Sequence, residues 1–158
     1  MLEKVQTWAR RLGATGTAAL VAVAVTGAPA HAAGNPYTAA SACSNEFGGS
    51  WSSVTDGHRG VINAQGRSVG DVYLMYNNAT GYNCVVTLKS SWVGTKTYTE
   101  ANLWVSDGGM YTDEGLYSYY AATKGPAKGK CVSYGGKIYA PDGITWASGD
   151  RYQMGNCG

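Results

Sequence analysis

Residues 71–89 of this chain read DVYLMYNNATGYNCVVTLK and contain the pattern that decides its fold. Apolar, β-branched and aromatic side chains fill two short runs, 71–76 and 83–89, with a residue order that alternates between two faces. The Asn- and Gly-rich segment 77–81 lies between them, and such residues tolerate the positive φ angles of tight turns. The stretch therefore predicts two antiparallel strands joined by a hairpin turn.

Similar short runs continue to the end of the chain, each bounded by Gly, Asn, Asp or Ser. Further strands are predicted at 61–64, 96–105, 110–112, 116–121, 130–134 and 137–140. Turns are predicted at 106–109, 113–115, 135–136 and 141–143, the Gly-Gly pair as the two-residue turn of a hairpin. About eight short strands at this spacing predict an all-β fold, a single small antiparallel sandwich or barrel.

Two strands have faces that the alternation assigns. Cys84, Val86 and Leu88 are expected on one face of their strand. In 96–105 the core face is expected to carry Ala101, Leu103 and Val105, and the polar face Tyr98, Glu100, Asn102 and Trp104. Trp146 and Tyr152 are expected to cap the core. Residues 33–42 are small and polar, and are predicted to be irregular.

The start of the chain has the order of a secretory signal. Basic residues come first, an apolar run follows at 18–25, and Ala30-His31-Ala32 is an A-x-A cleavage site. The apolar run is shorter than the roughly 20 residues that a membrane-spanning helix requires. We therefore predict a signal peptide over 1–32, an all-β domain over 33–158, and secretion to the extracellular space.

The charge of the predicted domain argues against two classes of partner. The full chain has 12 basic and 10 acidic residues. Cleavage after Ala32 removes three of the basic residues and one acid, which leaves nine of each and a formal net charge of zero. Without a basic surface, no nucleic-acid partner is expected, and no membrane partner after cleavage. Oligomeric state stays open.

Four cysteines, Cys43, Cys84, Cys131 and Cys157, fall in the predicted domain. An even number in an exported chain predicts two disulfides. Three connectivities are open, and Cys43–Cys84 with Cys131–Cys157 is preferred because sequential pairing suits a meander of local hairpins. Zinc is disfavoured by the wide spacings and the single His, so no metal or other cofactor is expected.

The stretch 69–88, VGDVYLMYNNATGYNCVVTL, resembles the spore-associated protein A family of secreted actinobacterial proteins. These proteins have a similar V-Y-L-x-Y-N-x-A-T-G-x-N-C-V-V-T core and four cysteines. The third lies in a G-x-C-V context like Gly129-Lys130-Cys131-Val132, and the last lies near the C-terminus, like Cys157. The resemblance spans roughly residues 43–157. It implies a location, secreted and associated with spores or aerial growth, and supplies no catalytic residue.

Residue patterns typical of enzymes are weak. His58 is the single His of the predicted domain, and its Asp-Gly context predicts an exposed loop. Glu46, Glu100 and Glu114 are candidates for a glycosidase pair, but the sequence brings no two of them together. Asp107, Asp113 and Asp142 lie in Gly-rich segments without the series of a calcium loop, so ordinary turn chemistry is expected. We therefore predict no catalytic residues.

The aromatic residues are the stronger functional signal. Tyr98 and Trp104 share a predicted polar face, and Tyr117 and Tyr119 lie in one predicted hairpin. These four are the candidate ligand-binding residues, because flat exposed rings stack on sugars. The competing interpretation is that Tyr and Trp build the core of a protein with one Phe.

Three non-catalytic functions remain open. The first is a structural or wall-binding protein of the spore or cell surface, with the spore envelope or cell-wall polysaccharide as partner. The second is a carbohydrate-binding module that acts on extracellular polysaccharide, and it would supply a mechanism for the first. The third is an inhibitor of extracellular proteases. A small hydrolase is least favoured, because no His-centred constellation is visible.

Overall fold

A computed structural model describes residues 34–158 of the chain. They form one helix, α1 (Ala39–Phe47), and eight strands: β1 (Ser52–Asn63), β2 (Ser68–Asn77), β3 (Tyr82–Lys89), β4 (Thr97–Val105), β5 (Met110–Tyr117), β6 (Tyr120–Pro126), β7 (Val132–Tyr139) and β8 (Trp146–Gly155). The predicted all-β class and its eight strands are confirmed. The signal peptide predicted over 1–32 lies outside the described residues.

The strands form one antiparallel sheet in the order β5-β4-β7-β8-β1-β2-β3-β6, which curls until its two edges meet. At that seam no backbone ladder joins β5 to β6. Instead the carboxylate of Asp113 accepts a hydrogen bond from the Ala122 N–H over 2.9 Å. The Tyr111 ring packs on Gly125, where an added Cβ would lie 2.4 Å from Cδ2. The architecture is therefore a nearly closed barrel, with side chains closing its last gap.

The barrel interior holds the larger of two apolar cores. Its fully buried side chains include Val72, Leu74, Val85, Leu103 and Ile138. Each of these positions alternates with an outward one along its strand, as the pleat requires. The face assignment for β4 is confirmed, because Ala101, Leu103 and Val105 are buried there.

The second core lies outside the barrel, between α1 and the sheet. Met75, Cys84 and Val86 face outward from β2 and β3 and pack with Ala42 and Cys43 of the helix. Covered on both faces, β3 is buried along almost its whole length.

Two cationic side chains, Arg151 and Lys89, are buried in this fold. The Arg151 side chain is 7% exposed, stacks 4.9 Å from the Tyr134 ring centroid and donates to the Val132 carbonyl over 2.7 Å. Lys89 is 1% exposed and its Nζ donates to the carbonyls of Thr95 and Tyr117 over 2.5 and 3.0 Å. Burial lowers the pKa of Lys89 to about 8.

Both preferred disulfides are present. Cys43–Cys84 ties α1 to β3, and Cys131–Cys157 ties the start of β7 to the C-terminal end of the chain. Among residues 34–158 no cysteine is free. The first bridge fixes the helix over the second core.

The prediction that 33–42 is irregular was wrong from residue 39 onward. A capping box between Thr38 and Ser41 starts α1, and Ala42 and Cys43 are fully buried against the sheet. The helix is only nine residues long and mostly small, so its apolar period was too short to detect. In the part of the chain that the structure describes, no helix has the length and apolar character needed to cross a membrane.

Two predicted turns are instead strand interiors. The segment 113–115 continues β5, and the real turn falls at 118–119. The Gly135-Gly136 pair continues β7, because neighbouring side chains occupy the space that side chains there would need. An added Cβ at Gly135 would lie 2.0 Å from Asp150 Oδ1, and one at Gly136 would lie 2.1 Å from Thr87 Oγ1. These glycines permit close approach and do not make a turn.

The strand predicted from residue 61 begins nine residues earlier, at Ser52. Its pairing with β2 is irregular between Ser53 and His58, and Asp56 has a φ of 54° there. The Asp56-Gly57 pair therefore forms a bulge within the strand, although its composition is typical of a turn.

Candidate functional site

A shallow groove of about 360 Å³ crosses the outer face of β4, β7 and β8. The strand register places its outward-facing residues side by side. They form two cross-strand rows, Glu100–Lys137–Ser148 and Asn102–Gly135–Asp150. The groove is therefore built on three hydrogen-bonded strands and does not depend on a loop.

Gly135 shapes the middle of the groove. Because it has no side chain, the Asp150 carboxylate takes the space above it and lies across the sheet. The groove consequently has a polar centre with hydrogen-bond acceptors from Asp150 and an amide from Asn102.

Three large aromatic side chains line the groove. Trp104 is half-buried on β4, whereas Trp146 and Tyr152 on β8 are 51% and 79% exposed. The charge of Asp150, together with a hydrogen bond, raises the pKa of Tyr152. A groove with aromatic walls and a polar centre offers ring faces for stacking and donors and acceptors for orientation.

The charges of the groove are partly balanced within it. The ammonium of Lys137 lies 3.4 Å from Glu100 Oε2 and 5.4 Å from the Trp146 ring centroid. Lys137 thus supplies the cation that the carboxylate and the indole ring attract. With Asp150 the groove carries one formal negative charge.

A second concave surface, the seam recess, lies where β5 meets β6. Its volume is about 380 Å³, and its lining comes from the end of α1, the end of β5, the 118–119 turn and the start of β6: Glu46, Phe47, Asp113, Tyr117, Ser118, Tyr119, Tyr120 and Ala122. It shares no lining residue with the groove.

Neutral donors bind the two carboxylates of the seam recess. The Tyr117 hydroxyl donates to Asp113 Oδ1 over 2.6 Å, and the Tyr120 hydroxyl donates to Glu46 Oε1 over 2.8 Å. The bond to Asp113, and then burial, raise the pKa of Tyr117 to about 12. Burial, and then the bond to Glu46, raise the pKa of Tyr120 to about 12.

The four predicted ligand residues do not form one surface. Tyr98 and Trp104 lie on the outer face of β4, as expected, but only Trp104 lines the groove. Tyr98 packs against Tyr139 with ring centroids 5.4 Å apart. Tyr117 and Tyr119 line the seam recess instead. The aromatic residues that the sequence analysis grouped together therefore belong to separate surfaces.

The expectation that Trp146 and Tyr152 cap the core is wrong, because both are exposed on the outer face of the sheet. Lys137 and Asp150 are groove residues that were not predicted from the sequence. A pattern that identifies the strand was present, because Trp146, Ser148, Asp150 and Tyr152 alternate with buried residues along 146–152. Reading this run as a strand with two faces identifies the wall of the groove.

The enzyme-like residues are dispersed over the molecule. Glu100 lines the groove, Glu46 and Asp113 line the seam recess, and the others lie outside both surfaces. His58 is exposed, as expected, but belongs to β1, where it bonds to Asp71 over 2.8 Å and stacks on Tyr73. Asp107 and Asp142 accept hydrogen bonds from backbone N–H groups of their own turns. Within residues 34–158, no group of three His, Cys, Asp or Glu side chains is placed to hold a metal ion.

Comparison with known proteins supplies the family. No family model matches the chain, and no solved structure matches it. The chain is 40% identical over 130 residues to spore-associated protein A of Streptomyces coelicolor, and the match covers 77% of this chain and 78% of the relative. The family resemblance seen in residues 69–88 is thereby confirmed: this chain belongs to the spore-associated protein A family.

Proposed function

We propose that this chain is an exported, non-catalytic protein of the spore or cell surface that binds polysaccharide in the groove of β4, β7 and β8. The observation that carries the proposal is the placement of Trp104, Trp146 and Tyr152 around a polar centre on a rigid sheet. Groups of exposed aromatic side chains on a solvent-facing surface are typical of ligand sites.

The chemistry of the groove suits a sugar chain. The apolar C–H face of a pyranose ring packs on an aromatic ring, while its hydroxyl groups need donors and acceptors at the edge. Asn102, Ser148 and Asp150 provide those groups. Lys137 neutralises Glu100 and one negative charge stays on Asp150, so the groove favours neutral sugars over anionic ones.

The location comes from the family and from the predicted signal peptide. The relative is named for its association with spores. An A-x-A site at residues 30–32 and two disulfides agree with export to an oxidising compartment. A polysaccharide of the spore envelope or cell wall is the partner that agrees with both the location and the chemistry of the groove.

Co-sedimentation tests this function. Purified oxidised protein is mixed with washed spores, vegetative wall, chitin and cellulose, and the pelleted fraction is measured with and without soluble glycan. Saturable pelleting is expected, and Trp104→Ala with Tyr152→Ala should abolish most of it. Tyr119→Ala is the matched control, since it removes an exposed tyrosine from the seam recess.

The same samples test the absence of catalysis. No release of reducing sugar from the bound polysaccharide is expected over prolonged incubation. Release that Glu100→Gln or Asp150→Asn abolishes would contradict a purely binding role and would indicate glycoside hydrolysis. Equal pelleting by the wild type and the double variant would reject the groove as the binding site.

A further inference from the structure

The seam recess differs from the groove in the charge that it presents. Glu46 and Asp113 both line it, and neither forms an ion pair with any residue of 34–158. Their hydrogen-bond partners are phenol hydroxyls, an amide side chain and one backbone N–H, all of them neutral. Two carboxylates thus face one recess without a cation to balance them.

Aromatic rings form much of the remaining wall. Phe47, Tyr117, Tyr119 and Tyr120 contribute to the lining, and Tyr119 is 37% exposed. Ring faces attract ammonium groups through their quadrupoles, more strongly when water is partly excluded. The Lys124 ammonium stands 4.9 Å from the Phe47 ring centroid but does not line the recess, so the tyrosine rings remain available.

The two charges act on the same small region. Asp113 binds the Tyr117 hydroxyl directly, and the charge of Glu46 also contributes to the raised pKa of Tyr117. A positive group placed among these side chains would therefore interact with both carboxylates at once. The volume of about 380 Å³ falls within the range of small-molecule sites.

We propose that the seam recess binds an organic ammonium ion, such as the protonated amine of an amino sugar. Tyrosine rings contact the face of the cation, and Glu46 and Asp113 balance its charge. The site is independent of the proposed polysaccharide groove, because the two surfaces share no lining residue.

The test is a calorimetric titration of the full oxidised protein at pH 6 with glucosamine, whose amine is protonated there. N-acetylglucosamine is the matched neutral ligand. Glucosamine should bind, and N-acetylglucosamine should bind at least about tenfold more weakly, the loss expected for a charge-assisted contact. Salt should weaken the binding of glucosamine.

Variants locate the site. Glu46→Gln keeps an acceptor for the Tyr120 hydroxyl but removes an exposed charge, and should weaken glucosamine binding by about threefold. Tyr119→Ala should weaken it several-fold by removing an exposed ring. Glu114→Gln is the matched control: it removes an exposed acid of β5, next to Asp113, that does not line the recess, and it should change nothing.

Three results would overturn the proposal. They are equal binding of the two sugars, unchanged glucosamine binding in both Glu46→Gln and Tyr119→Ala, and displacement of glucosamine by equimolar Ca²⁺, which would indicate a metal site. Trp104→Ala distinguishes the two sites, since it should leave glucosamine binding intact even if the groove binds no polysaccharide.

Discussion

The groove and the seam recess are both lined by aromatic rings and carboxylates, but only the groove contains a cationic side chain. The groove contains Lys137, which lies 3.4 Å from Glu100, whereas the recess is lined by no cation. Because Lys137 pairs with Glu100, the groove keeps one formal negative charge, on Asp150, whereas the recess keeps two. A cationic ligand therefore gains less in the groove than in the recess.

The two surfaces also differ in how they are held. The groove lies on continuous backbone ladders of β4, β7 and β8. The recess lies at the one seam without a ladder, and Asp113 both lines the recess and joins β5 to β6. Changes to the groove should therefore alter binding alone, while changes to the recess should also alter stability.

Removing the Cys43–Cys84 bridge should produce the largest difference in binding between the two surfaces. In Cys43→Ser with Cys84→Ser, loss of a bridge with a separation of 41 residues should lower the free energy of unfolding by about 4 kcal/mol. Helix α1 then loosens, and with it Glu46 and Phe47 leave the recess. Glucosamine binding should be lost and polysaccharide binding kept, as measured by denaturation, calorimetry and pelleting.

The second bridge provides the control. Cys131→Ser with Cys157→Ser should cost about 3.5 kcal/mol, because the separation is 26 residues, but it leaves α1 attached. Glucosamine binding should survive at temperatures where this variant is folded. Equal loss of glucosamine binding in both double variants would mean that α1 has no specific part in the recess.

Asp113→Ala tests the seam itself. It removes the acceptor for Tyr117 and leaves the Ala122 N–H without its partner, so a loss of about 2–3 kcal/mol is expected. Hydrogen exchange at Ala122 should quicken, while exchange along β7 should change little. Asp107→Ala, which alters an exposed turn, should cost less than half as much. A similar cost for both would show that the seam does not depend on Asp113.

Lys137→Met should make the groove resemble the recess. Glu100 then loses its cation, so the groove should become a second binding site for glucosamine. Its free energy of binding there should be about 1 kcal/mol more favourable than that of N-acetylglucosamine. Stability should barely change, since the pair is partly exposed. The stoichiometry in calorimetry checks this result. Unchanged stoichiometry would mean that charge balance does not select the ligand of the groove.

A smaller effect is the change of stability that Lys89 causes at mildly alkaline pH. The folded pKa of Lys89 is about 8, below its ordinary value of 10.5, so the unfolded state binds more protons above pH 8. Stability should therefore rise by about 1 kcal/mol between pH 8 and 9, and this rise should be absent in Lys89→Met.

Above pH 10 the sign reverses. Tyr117 and Tyr120 keep their protons to about pH 12 when folded, whereas unfolded tyrosine loses its proton near 10. The folded state then binds more protons, so stability should fall between pH 10 and 12. Denaturation curves across this range test both slopes. Tyr152→Phe, in the groove, should reduce this fall less than Tyr117→Phe does, because Tyr152 is mostly exposed. A fall unaffected by Tyr117→Phe would contradict the assignment.

The sequence predicted best what short-range patterns determine. The β2–β3 hairpin follows from the Asn and Gly residues of its turn at 77–81, and the faces of β4 follow from strict alternation. Both disulfides follow from sequential pairing along a meander. Each of these depends on neighbours that are visible in the sequence itself.

The errors came from contacts between distant segments. Gly135 and Gly136 have the composition of a turn, but they lie within a strand because Asp150 and Thr87 fill the space beside them. Trp146 and Tyr152 do not cap the core, because the pairing of β8 with β7 places both on the outer face, and no local pattern shows that pairing. The grouping of Glu46 with Tyr117 and Tyr119 depends on the closure of the barrel, which no local pattern encodes.

The most direct test of the central claim is NMR shift mapping with a soluble fragment of the polysaccharide that best pellets the protein. Backbone amides of Asn102, Gly135 and Ser148 should shift together and saturate, and Ser118 and Ala122 should not move. Loss of those shifts in Trp104→Ala with Tyr152→Ala would support the groove as the binding site. Shifts confined to the seam recess, or spread over unrelated strands, would contradict it.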